Sequence, residues 1–148
     1  MQQTLDFLYK IKGWISTEIK QEKESREYCA YKLRLGENRA KFRVAKLTPT
    51  KQGLFVTMWK RNIAGITEPH ALDDPIDLYI VNVIDQDKAG FFLFPKEALA
   101  QNGIVSVNGK GGKRGFRVYP NWVKNLNKQA TKTQGWQVEF FYDYSNEY

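Results

Sequence analysis

A chain of 148 residues fits one domain of ordinary size, and its 42% hydrophobic content, with four Trp, eight Tyr and nine Phe, excludes a disordered polymer. One cysteine, Cys29, excludes an internal disulfide, and one histidine, His70, leaves too few ligands for a Cys/His zinc site, so no metal and no cofactor is expected. Net charge is +7; the opening MQQTLDFLYKIKGW is charged throughout, unlike a signal peptide, and no run approaches ~18 apolar residues, so a cytoplasmic protein without a membrane span is expected.

The spacing of Leu5, Leu8, Ile11, Ile15 and Ile19 predicts a helix over 4–24, with Gly13 as a weak point inside it. Residues 28–35 and 39–47 alternate and predict two strands joined by a turn at Gly36-Glu37-Asn38. In the second strand Ala40, Phe42 and Val44 share one face, and Arg39, Lys41 and Arg43 share the other. Cys29 falls in the first strand and is expected to be packed. A Pro/Gly turn at 48–53 leads to a strand at 54–59. A polar excursion follows, then a nearly continuous apolar strand at 76–84 that belongs at the centre of a sheet.

After the next turn, FFLF (91–94) predicts a strand, Pro95 opens a short helix to about Gln101, and Gly103 ends it. IVSV (104–107) and FRVY (116–119) predict strands around a glycine-rich loop at 108–115. Pro120 and Asn121 predict the start of a helix running to about Gln134, capped by Gly135. WQVEFFY (136–142) predicts a last strand. This order is α+β: a single domain with a mixed, mostly antiparallel sheet packed by an N-terminal helix and a later helix.

The charge is unevenly distributed. Residues 32–61 carry nine positive and one negative group, 62–107 two and seven, and 108–138 seven and none. Two basic segments therefore flank an acidic middle, an arrangement that can focus a field on one face. In the first, Arg43 leaves its strand opposite Phe42, Lys46 and Lys51 bracket the turn, and Lys60 and Arg61 close the next strand. In the second, the loop 108–115 presents Lys113 and Arg114 beside four glycines, whose backbone can approach an anion closely. Arg117 follows on the strand. Lys124, Lys128 and Lys132 form a stripe at four-residue spacing on the expected helix. A solvated outer face is the plain alternative for each group, and the strand register that would unite them is not fixed by sequence.

Three segments carry a resemblance: FRVAKLTPTKQGLFVTMWKR (42–61), GKRGFRVYPNW (112–122) and NKQATKTQGWQVEFF (127–141). They closely resemble the MepB family, small bacterial proteins encoded beside a multidrug exporter and its regulator, and the similarity runs from about Glu24 to Phe141. The resemblance implies a restriction-endonuclease-like fold and makes nucleic-acid binding a reasonable expectation.

A nuclease of that fold needs a strand Asp followed by an acidic-x-Lys pair on the next strand, to hold a divalent cation. Asp77 suits the first position, but the following strand reads Phe91-Phe92-Leu93-Phe94. The expectation is therefore a non-catalytic domain binding DNA or RNA through Arg43, Lys46, Lys51, Lys60, Arg61, Lys113, Arg114, Arg117, Lys124, Lys128 and Lys132, with Tyr119 or Trp59 as stacking candidates. The alternatives are a protein-interaction or regulatory module, and a residual metal-dependent nuclease using Asp77. A monomer or weak dimer is expected. His70, alone in a loop, is expected to have no catalytic role.

Overall fold

The computed structural model describes residues 1–147. The first helix, α1 (Gln2–Lys12), is much shorter than its periodicity predicts. Gly13 adopts the left-handed conformation (φ 71°) and donates its N–H to the Tyr9 carbonyl, so it ends the helix rather than weakening it. Leu5 and Leu8 are buried, whereas Ile15 and Ile19 are exposed, so their helical spacing is accidental. The chain turns instead into β1 (Ser16–Gln21).

A short 3-10 turn at Arg26–Tyr28 replaces the start of the expected strand, and Cys29 is exposed, at φ 49°. There follow β2 (Tyr31–Leu35), β3 (Asn38–Val44), β4 (Lys46–Leu47), β5 (Leu54–Thr57), β6 (Trp59–Arg61) and β7 (Thr67–Pro69). The polar excursion thus contains one strand of a hairpin. Next come β8 (Leu78–Asp85), β9 (Lys88–Pro95), α2 (Lys96–Gln101), β10 (Gly115–Val118), α3 (Lys128–Gln137) and β11 (Phe141–Asp143). Residues 104–107 make only isolated bridges, Ser106 with Ala71 and Val107 with Lys110.

The main sheet has six strands in the order β1-β2-β3-β8-β9-β11, all antiparallel except the β3–β8 pair. The fold is therefore α+β with a mostly antiparallel sheet, as the element order predicts. β8 is central, and its apolar run is buried on both faces. On one face Leu5 and Leu8 pack with Leu33, Phe42, Ile80 and Phe91. There Asn82, buried on β8, accepts hydrogen bonds from Thr4 Oγ1 and, at 3.0 Å, from Tyr144 Oη, tying α1 and the C-terminal segment to the sheet. On the other face Tyr79, Val81, Phe92 and Phe94 meet a three-stranded sheet, β10-β5-β4, through Leu54, Val56, Phe116 and Val118.

α3 begins eight residues later than Pro120 suggests. Asn125 sits at φ 58°, which a continuing helix does not allow. Asn127 then caps the helix, its side chain accepting from the Ala130 N–H at 2.8 Å. Gly135 lies inside the helix, and Trp136 and Gln137 are helical rather than extended. Of the predicted last strand only Phe141 and Tyr142 pair with β9, and Asp143 extends the ladder by one residue.

Candidate functional site

The register that the sequence could not fix is Gly115↔Thr57, Phe116↔Val56, Arg117↔Phe55 and Val118↔Leu54 between β10 and β5. Lys46 lies opposite Phe55 on the other side. The small sheet thus presents Lys46, Phe55 and Arg117 in one cross-strand row, with Leu54, Val56, Phe116 and Val118 turned into the core.

Between this sheet and α3 runs a groove of about 700 Å³. Lys51 reaches it from the first basic segment, and Lys113 and Arg117 from the second. Phe55, Phe116, Tyr119 and Trp136 supply rings, Gln52, Asn102, Asn127 and Gln129 supply amides, and among the described residues no carboxylate lines it.

Several contacts build the groove. Arg117 donates to the Gln52 carbonyl at 3.0 Å and to Thr48 Oγ1 at 2.7 Å, which holds the turn carrying Lys51. Gly53 allows that turn to close. Its φ is 77°, and a Cβ there would sit 2.7 Å from the Tyr119 ring and 2.8 Å from the Val118 oxygen. Gln137, fully buried, accepts the Tyr119 N–H at 2.8 Å and donates to the Arg117 carbonyl at 2.9 Å, which fixes α3 against β10. Its position in apparent strand sequence hid this role.

The remaining predicted cations divide. Lys128 and Lys132 are exposed on α3, but Lys124 lies in the preceding loop, so no three-residue helical stripe exists. Arg114 is committed to the β6–β7 hairpin, donating to the Thr67 carbonyl at 2.8 Å and Thr67 Oγ1 at 3.1 Å. Lys46 lies over the Tyr28 ring at 5.0 Å. Arg61 pairs with Glu24 at 2.7 Å and lies over the half-buried Trp59 ring at 5.3 Å. Lys60 pairs with Asp74 at 2.5 Å.

Arg43 does not offer itself to an external ligand. It is 2% exposed, and its Nη1 lies 2.5 Å from Glu22 Oε2. Burial drives its pKa downward against the opposing pull of Glu22. Lys41 also binds Glu22. Burial raises the Glu22 pKa, but Arg43 and Lys41 together outweigh it and hold the carboxyl below its ordinary range.

Sequence reading put Arg39, Lys41 and Arg43 on one face of their strand but missed the wider surface that β1 and β2 make with it. The register Lys20↔Lys32↔Lys41↔Tyr79 forms one row across β1, β2, β3 and β8, and Arg34↔Arg39 forms part of the next. The alternating cations of 32–34 and 39–43 were a signal for it, but β1 was hidden under apparent helix. His70 closes the region from above. It is 3% exposed, with Nδ1 3.2 Å from Asp74 Oδ2, while its buried Nε2 has no hydrogen-bond partner among the described residues. Burial first, and then the Lys41 charge, push its pKa down to about 4, so the imidazole is neutral at pH 7. With Asp74 ionised, Nδ1 carries the proton and donates it, leaving Nε2 as an acceptor.

Asp77 stands at the head of β8, where its Oδ2 accepts the Arg39 N–H at 2.8 Å. The carboxylate braces the start of the parallel β3–β8 pair. Among the described residues no three His, Cys, Asp or Glu side chains gather as metal ligands, and no helix is long and apolar enough to cross a membrane.

These features define an α+β protein with a basic, aromatic-lined groove beside a buried ion network. The MepB-like family model matches residues 22–143. A crystal structure of MepB is similar along 97% of both chains, at 34% identity and a TM-score of 0.85. This chain belongs to the MepB-like family. No curated protein matches it.

Proposed function

We propose that this protein is a non-catalytic nucleic-acid-binding domain whose contact surface centres on the Lys51–Lys113–Arg117 groove. One observation carries the reading: cations from both basic segments line a single cleft with four aromatic rings and, among the described residues, no carboxylate. Cations beside a phosphate backbone release condensed counterions, which drives binding and makes it salt-dependent. Half-buried rings such as Tyr119 and Trp136 offer faces on which unpaired bases stack, each such contact contributing about 1–3 kcal/mol. Lys124, Lys128 and Lys132 extend the positive potential around the cleft without lining it.

The restriction-endonuclease-like kinship implied by the family resemblance belongs to the same proposal, supported by the mixed six-stranded sheet with its one parallel pair. So do a cytoplasmic location and a monomeric or weakly dimeric state. Asp77 contributes as a backbone brace, through its hydrogen bond to Arg39, and not as a metal ligand.

The test is fluorescence anisotropy with labelled single-stranded DNA, duplex DNA and RNA between 50 and 200 mM salt. Binding is expected to weaken steeply with salt. Lys51→Ala with Lys113→Ala is expected to lower the log–log slope by about 1.4–1.8, the contribution of two phosphate contacts. No binding at 50 mM salt, or a slope unchanged by the double substitution, overturns the proposal.

A further inference from the structure

A second cavity, of about 570 Å³, lies between the β2–β3 strands and the 70–76 segment. It shares no lining residue with the groove. Five cations line it, Lys32, Arg34, Arg39, Lys41 and Lys60, against two carboxylates, Glu18 and Asp74. Part of that charge is already balanced: Arg34 pairs with Glu18 at 3.2 Å, Lys60 with Asp74 at 2.5 Å, and Lys41 with Glu22. Lys32 and Arg39 are exposed on strands whose register places them beside Lys41 and Arg34. The lining therefore holds a surplus of positive charge in a concave site, where it acts more strongly than on an open surface. Pro75 and Ile76 add an apolar wall.

The second observation is His70. It lines this cavity, its ring is almost wholly buried, and its Nε2 has no hydrogen-bond partner among the described residues. A buried polar atom without a partner is costly to keep. It is retained here on a ring already oriented by Asp74 through Nδ1. The ring is part of the cavity wall, and with Nδ1 held by Asp74 its Nε2 is the acceptor left unsatisfied.

We propose that this cavity binds a small organic phosphate of mononucleotide size, with Lys32, Arg39 and Lys41 holding the phosphate oxygens and His70 Nε2 sharing a proton with them. Clustered cations match a dianion better than a single carboxylate, which one Arg can satisfy. The volume suits a compact ligand with an organic body laid against Pro75 and Ile76. The site is independent of the nucleic-acid groove and does not rest on that reading.

Proton linkage follows from the groups around the ring. His70 meets Asp74 from its own segment, Lys41 and Arg43 from β3, and Tyr79 from β8, while Lys60 from β6 reaches it through Asp74. Glu22 balances Lys41 and Arg43. Burial and the Lys41 charge keep the imidazole neutral. A bound phosphate dianion offsets Lys41, so protonation of Nε2 becomes easier. The proton passes from the monoanionic phosphate or from solvent to Nε2, and no covalent bond changes. Binding therefore raises the His70 pKa, so the imidazole of the complex takes up its proton at a higher pH than that of the free protein.

The chain contains one histidine, so nitrogen NMR of the imidazole reports this site alone. The probes are adenosine 5′-monophosphate, inorganic phosphate and adenosine, titrated into the full chain at pH 8, 7 and 6 in 50 mM salt. Adenosine 5′-monophosphate is expected to shift the Nε2 resonance toward the protonated position and to bind at least tenfold more tightly than adenosine. Lys32→Glu with Arg39→Glu is expected to weaken it at least tenfold, with the His70 spectrum of the unliganded protein confirming the fold. Lys51→Ala with Lys113→Ala is expected to leave it unchanged. Loss of binding in this groove variant, retention in the strand variant, an unperturbed imidazole in the complex, or equal affinity for adenosine each overturns the proposal. Tighter binding of inorganic phosphate than of the nucleotide overturns the organic part of it.

Discussion

In the groove, Lys51, Lys113 and Arg117 face amides and rings, whereas on the β1–β3 face Lys41, Arg43 and Lys60 face carboxylates. These strand-face cations all come from the first basic segment, which also supplies Lys51 to the groove. The groove leaves its lysines exposed; the strand face buries Arg43 and spends much of its charge on Glu22 and Asp74. Positive charge in a sequence therefore marks two different physical objects. One is a surface available to a polyanion, and the other is an internal electrostatic brace that opens on one side into a cavity. Sequence position does not tell them apart, because the deciding acids lie on other elements.

The contrast can be broken most severely at Glu22. Glu22→Ala leaves Arg43 buried without its counter-charge, and a buried pair broken from one side costs about 3–5 kcal/mol. Urea unfolding is expected to show a loss of that order, and a loss below 1 kcal/mol would mean that the network is not a brace.

A slightly smaller effect is expected from pH. The His70 pKa is 6.5 in the unfolded chain and about 4 in the fold. Between these values the unfolded state binds the extra proton, so stability is complete above 6.5 and falls as pH drops toward 4. The shift corresponds to about 3 kcal/mol. Glu22 and Asp74 are held low by their cations against the effect of burial, so they add their own loss only below about pH 4.5. Urea midpoints at pH 7, 5.5 and 4.5 are expected to decline in the wild-type chain, and His70→Leu is expected to flatten that decline.

Asn127→Ala removes the cap of α3 and is expected to cost about 1 kcal/mol, with a larger relative loss of nucleic-acid affinity because the groove wall frays. Smallest of all, Lys51→Ala or Lys113→Ala is expected to change stability by less than about 0.5 kcal/mol. A large stability loss at either lysine would make the groove cations structural and erase the distinction between the two regions.

Much of the sheet was legible. The apolar run of β8, the turn at Gly36, the strands around Phe55, Phe92 and Phe116, and the short helix after Pro95 all follow local rules. β1 was not legible, because Ile11, Ile15 and Ile19 copy a helical spacing that Gly13 interrupts by turning left-handed. α3 was displaced because Pro120-Asn121 imitates a helix start, and only the backbone at Asn125 shows that the helix begins later. Lys51, Lys113 and Arg117 were identified singly; their convergence depends on the β5–β10 register and on Gln137. The burial of Arg43 and of His70 depends on tertiary packing that no local pattern encodes.

The irregularity in β1 carries one more consequence. β1 is an edge of the main sheet, and its ladder slips between Thr17 and Lys20, where Glu18 adopts φ 52°. An open edge invites another chain to add a strand, and a bulge flanked by charge discourages it. The opposite edge, β11, is only three residues long. A bulge that looks like a local defect is thus a safeguard against edge-to-edge aggregation, and deleting Glu18 to restore a flat ladder would trade solubility for regularity.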